Sequence, residues 1–158
     1  MQCSHSTLRE HYMTDQITEK SAILQRWYDE VWTKGRLEAI DEMFGESTLV
    51  TGIMPDFAVN PNDFKQLVIA IRALCKPPKA TVIRSHEDGD WLSAMVQMQA
   101  VSMNTAEAIS ATGMVFARFE GGRMVETYNN FDFLTFFEKL GQLPEGTLGL
   151  LLAGERLS

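Results

Sequence analysis

The sequence predicts an α+β fold, and two observations carry that expectation. Apolar residues in the first half recur at helical spacing, whereas the second half switches to short runs of near-alternating character separated by turn residues. Pro77 and Pro78 mark the change of period. The expected architecture is a set of helices packed against one strongly curved antiparallel sheet.

Each element has its own signal. Leu24, Trp27, Tyr28, Val31 and Trp32 fall at i, i+3, i+4, i+7 and i+8, which predicts a first helix capped by Thr14 or Asp15 and ending near Gly35. The stretch "RLEAIDEMF" puts Leu37, Ile40 and Phe44 on one side of a short second helix that stops at Gly45, and "TLVTGI" reads as a strand. Asn60 can cap a third helix, Pro61 suits its first turn, and Phe64, Leu67, Val68, Ile71 and Leu74 form its apolar face. Four β-rich runs follow at 79–88, 91–103, 108–119 and 123–131, with "EDGD", "MNTAE" and "EGGR" between them as hairpin turns. A last helix is expected from Asp132 to Gly141, giving the order ααβαββββα. The run "WLSAMVQMQAV" is apolar on both alternating sets, so both faces of its sheet should be covered, one by helices and the other by a second subunit.

Composition bounds the rest. A chain of 158 residues, 45% hydrophobic, suits one domain over 14–158, with a polar tail at 1–13 that is expected to be disordered. The segment "MTDQITEK", from Met13, looks like a natural beginning of the folded part. The formal charge of -7 and the lack of a Lys/Arg cluster argue against a nucleic-acid partner. The polar start "MQCSHSTLREHYMTDQ" lacks the basic-then-apolar order of a secretory signal, so a cytoplasmic location is expected. "LGLLLAG" is far shorter than the ~20 residues of a membrane helix and reads as a docked tail or interface segment. Cys3 and Cys75 give no disulfide framework, and Cys75 reads as a small core residue. No His/Cys/Asp/Glu set has metal-ligand spacing and no glycine-rich phosphate loop is present, so neither metal nor cofactor is expected.

The order of elements, with "YDEVWTKGRLEAIDEMF" early and "FEGGRMVETYNNFDFLTFFEKLGQLP" late, resembles the SnoaL-like polyketide cyclases of the NTF2-like superfamily over roughly residues 16–145. The resemblance implies a cone-shaped α+β barrel, in which three N-terminal helices wrap a curved antiparallel sheet and a short C-terminal helix follows. It also implies an apolar pocket inside the cone, and often a homodimer. Those cyclases keep a catalytic Asp on the last strand, three residues before a second Asp. The matching positions here are Asn129 and Asp132. An amide has no ionisable proton near neutral pH, so Asn129 can hydrogen-bond a carbonyl but cannot shuttle a proton. In the ketosteroid-isomerase branch, the oxyanion-binding Tyr lies seven residues before the equivalent of Gly35, which is Tyr28 here. That branch's general base and second donor fall near Gly52 and Val115, neither of which can do that chemistry.

Candidate ligand contacts follow from strand parity. Asn129 should share a face with Val125, Thr127 and Phe131, and the small Gly113, Val115 and Ala117 should leave space on the neighbouring strand. The ligand-binding set is therefore Asn129, Tyr28, Thr127, Val115, Gly113, Gln97 and Gln99, with no catalytic residue assigned. Gln97 and Gln99 either face the pocket as orienting donors or lie on the outer face at a dimer contact. Asp132 stands where strand gives way to helix and is expected to be a helix cap. Met54, Asp56 and Phe57 are candidates for the pocket mouth, with Asp56 the candidate replacement acid, and His86 reads as a solvated turn residue. Three functions compete: a binder of a small lipophilic or polyketide-like molecule, a cyclase, isomerase or lyase using Asn129 and Tyr28 to polarise a carbonyl, and a dimeric structural or adaptor module.

Overall fold

A computed structural model describes residues 18–56 and 58–157. The tail 1–13, the capping candidates Thr14 and Asp15, and Phe57 lie outside the described residues. Helix α1 (Glu19–Trp27) runs on into a π-helical turn (Tyr28–Thr33), followed by α2 (Glu38–Met43), β1 (Phe44–Thr51) and α3 (Pro61–Leu74). Strands β2 (Lys79–Asp88), β3 (Trp91–Val101), β4 (Ala108–Glu120) and β5 (Arg123–Phe131) come next, then α4 (Phe133–Lys139) and α5 (Thr147–Leu152).

The helix ends show why these segments stop where they do. Asn60 accepts the Asp63 backbone N–H at 3.0 Å and so caps α3, with Pro61 in the first turn. The start of α1 has no capping bond from its own Thr18 side chain; Glu87, at the far end of β2, accepts the backbone N–H groups of Lys20 at 3.0 Å and Ser21 at 3.3 Å. The π-helical turn is closed from α3. Arg72 donates to the carbonyls of Trp32 and Thr33, and Gly35, at φ +74°, leaves room for its guanidinium, which a Cβ there would approach to 2.9 Å.

The sheet order is β1-β5-β4-β3-β2. Strands β2 to β5 form an antiparallel meander, but β1 pairs with β5 in parallel, so the sheet is mixed and not wholly antiparallel as expected. The reason lies in connectivity: hairpin turn chemistry reports only neighbours in sequence, and β1 reaches the free edge of β5 after α3 and the whole meander intervene. Register shifts between Val82 and Arg84 on β2, and between Arg118 and Phe119 opposite β5, are bulges of the kind that bend a sheet. The second one alters the expected parity. Met124 and Thr127 are both buried on the inner side while Val125 packs toward Gly45, so Val125 does not share Asn129's face.

The concave face carries the core. On β3, Leu92, Ala94, Val96 and Met98 are buried, and Leu24, Trp27, Val31, Phe64 and Val68 pack over that face from the helices. A smaller cluster of Ile71, Cys75, Met98, Ile109, Phe136 and Leu140 closes the other end beneath α4. Cys75 is buried there and donates to the Ile71 carbonyl at 3.6 Å, and burial pushes its thiol above the usual cysteine range. The outer face is uncovered within the chain: Met95, Met114, Phe116 and Tyr128 are exposed. "LGLLLAG" forms α5, an element beyond the expected order, with Leu148, Leu150, Leu151 and Leu152 exposed. No helix among the described residues is long and apolar enough to cross a membrane.

Candidate functional site

A cavity of about 110 Å³ lies between the helices and the concave sheet. Its walls are mainly aromatic and aliphatic. Trp27 and Phe64 meet at 5.5 Å between ring centres, Trp32 meets Phe64 edge-on at 5.9 Å, and Phe131 meets Phe133 edge-on at 5.0 Å. The sheet contributes Val96, Met98, Gly113 and Val115. A recess of about 20 Å³ shares Tyr28, Val115 and Asn129 with the cavity and adds Thr127. No Asp, Glu, His, Lys or Arg lines either space among the described residues.

The polar groups are therefore few and placed by specific backbone features. Tyr28 opens the π-helical turn. Burial alone pushes its phenol far above the usual tyrosine range, so it stays protonated, and it has no hydrogen-bond partner among the described residues. It is enclosed by protein yet keeps accessible surface, because that surface faces the cavity.

Asn129 sits on β5 opposite Val115. Its amide nitrogen points to the Thr51 carbonyl at 3.4 Å and to Thr127 Oγ1 at 3.3 Å, and this carbonyl acceptor fixes which way the amide is turned. Its Oδ1 has no partner among the described residues. The end of β1 closes on this residue only because Gly52, at φ +87°, has no side chain: a Cβ there would lie 2.0 Å from the Asn129 carbonyl oxygen. Gly52 is thus a spacer where the isomerase pattern would place a base.

The expected residues divide clearly. Tyr28, Gly113, Val115 and Asn129 line the cavity, and Thr127 reaches only the recess. The space above Gly113 is narrower than its size suggests, since a Cβ there would meet the Phe131 ring at 3.1 Å. Gln97 and Gln99 are a correction as ligand contacts, because β3 turns Val96 and Met98 inward and the two amides outward. Gln97 donates to Ser110 across that outer face at 3.2 Å. Asp132 is the N-cap of α4: its Oδ1 accepts the Thr135 backbone N–H at 3.0 Å, and its Oδ2 accepts the Thr135 hydroxyl at 2.6 Å. Met54, Asp56 and His86 are exposed and outside the lining. The aromatic wall of Trp32, Phe64, Phe131 and Phe133 had a signal in the helix faces and the β5–α4 junction, but it reads as ordinary core.

Among the described residues no group of three or more His, Cys, Asp or Glu is placed to hold a metal ion. A SnoaL-like domain model matches residues 24–127, more than half of the chain. Similar solved structures include a candidate polyketide cyclase from Bacillus cereus ATCC 10987, 18% identical, with a TM-score of 0.70 over 80% of this chain and 83% of that one. A candidate hydroxylase from Streptomyces galilaeus, AclR, is 18% identical, with a TM-score of 0.68 over 86% and 89%. A protein of ketosteroid isomerase-like fold from Catenulispora acidiphila DSM 44928, solved with trimethylamine, is 11% identical, with a TM-score of 0.66 over 77% and 93%. At these identities the likeness is one of fold. A search of curated proteins gives no match.

Proposed function

The chain belongs to the SnoaL-like domain family, and from that premise we propose that it binds a small, mainly apolar molecule in the cavity without proton-transfer chemistry by its own side chains. One observation carries the reading. Among the described residues the cavity offers a protonated phenol and carboxamides but no carboxylate, histidine or lysine, so these residues can orient a ligand and include no side chain with a working acid/base range near neutral pH. The ligand contacts in this reading are Tyr28, Asn129, Val115 and Gly113, with Thr127 supporting the Asn129 amide. Native mass spectrometry of freshly purified protein tests it. A co-purified adduct of low mass is expected, and it should be lost in Asn129→Ala while circular dichroism stays native. An adduct retained in full by folded Asn129→Ala would contradict the assignment.

The Tyr28 hydroxyl, without a partner among the described residues, supports a second reading, an enzyme of cyclase, isomerase or lyase type. There Tyr28 and Asn129 polarise a carbonyl and a water in the recess carries the proton. Turnover of a carbonyl substrate that is abolished by Tyr28→Phe at unchanged affinity would favour it.

The same reading includes a homodimer through the outer sheet face. Trp91 and Phe116 stack there at 4.4 Å and 12°, beside Tyr128, and Met114 is 54% exposed. Arg118 on this face is paired within the chain, with Glu120 and Glu126, and the exposed stacked aromatic group beside it suits an apolar, self-complementary partner, as a second copy across a two-fold axis is.

A further inference from the structure

Volume, charge and the arrangement of polar atoms narrow the ligand further, on the premise that the cavity is the binding site. We propose that its occupant is a neutral molecule of about one ring that seats a single oxygen, best a hydroxyl, in the recess bounded by Tyr28, Thr127 and Asn129. An apolar cavity of roughly 150 Å³ holds one benzene ring. The cavity here, at about 110 Å³, has room within its walls for one small ring or its equivalent, and three or four fused rings would have to extend out of it.

The recess sets the polar end. At about 20 Å³ it is larger than the roughly 10–15 Å³ that one water-sized atom requires, and too small for a second. Its polar lining comes from Tyr28, Thr127 and Asn129, about the number of partners a buried oxygen uses. Among the described residues the Tyr28 O–H is an unused donor and Asn129 Oδ1 an unused acceptor, while the Asn129 nitrogen is directed to Thr51 and Thr127. A ketone oxygen could satisfy only the donor. A hydroxyl accepts from Tyr28 and donates to Asn129, so it leaves neither group unpaired. The absence of any charged lining residue among those described means that a carboxylate or phosphate would be buried without a counter-ion.

Isothermal titration calorimetry with five probes tests this: 4-methylphenol, toluene, benzoate, tetramethylammonium and anthraquinone. The expected result is saturable binding of 4-methylphenol, at least tenfold weaker binding of toluene, and none of the other three. Tyr28→Phe should shrink the tenfold gap to under threefold while leaving toluene affinity unchanged, and Asn129→Ala should do the same should the first variant not fold. Anthraquinone, benzoate or tetramethylammonium binding as tightly as 4-methylphenol would overturn the proposed class, as would an intact gap in both folded variants. Val96→Phe, which fills the cavity, separates the premise from the class. If 4-methylphenol binds wild type and Val96→Phe alike, the cavity is not the site at all.

Discussion

Asn129 on β5 and Asp132 just beyond its end, three positions apart, carry opposite kinds of work. Asp132 is the only ionisable one, and its two oxygens are both committed to Thr135 at the start of α4. Asp132→Ala should therefore lower stability by about 1 kcal/mol in a urea titration and leave ligand affinity unchanged. Asn129 has the converse profile: it lines the cavity and its Oδ1 has no partner among the described residues, so its loss should be read in binding before stability. Gly52→Ala must place a Cβ against the Asn129 backbone at a φ of +87°, and should cost more than about 1 kcal/mol and weaken binding together, measured by thermal unfolding and titration. The inward placement of Asn129 and the cap at Asp132 were legible because strand parity and capping chemistry are local. Those of Gln97 and Gln99 were not: β3 is apolar on both sides, so period alone does not say which side meets the helices, and the buried Val96 and Met98 decide it.

At the scale of elements, most boundaries were legible from turn and cap chemistry, as at Asn60–Pro61 for α3 and Gly121–Gly122 for the β4–β5 hairpin. What sequence spacing could not supply were relations between distant segments. The parallel docking of β1 on β5 is one, and the Val125 bulge, which swaps the inward-facing set of β5, is another. The cap of α1 is a third, since Glu87 lies 67 residues from Lys20 in sequence. That cap gives a pH dependence. Partial burial raises the Glu87 carboxyl, but hydrogen bonds from Thr18 and Lys20 and the Lys20 ammonium outweigh it and hold the group below the usual carboxylate range. A depressed folded value contributes stability above the unfolded pKa of about 4.3, and the contribution is lost as pH falls through the folded value. Glu87→Gln should accordingly lower the melting temperature at pH 7, and its difference from wild type should shrink as pH falls below the unfolded pKa of about 4.3 and vanish below the depressed folded value. A constant difference across that window would show that Glu87 acts by packing alone.

For the whole molecule, the sheet divides the chain into a closed concave side and an open outer side. The outer face leaves Phe116 and Tyr128 about half exposed, at 46% and 44%, in a stacked group with Trp91. Phe116→Glu should convert a dimer to a monomer in light scattering after size exclusion, with far-ultraviolet circular dichroism unchanged. A monomeric wild type would rule out the homodimer without bearing on ligand binding in the cavity.

On the concave side, the proposed small-molecule site is the space between helices and sheet. Trp27 and Trp32 line it, whereas Trp91 lies on the far face, so tryptophan emission in a Trp91→Phe background reports on the cavity alone. Titration with 4-methylphenol should give a saturable change that Val96→Phe abolishes. A linear, unsaturable response, or the same saturable response in Val96→Phe, would contradict that assignment.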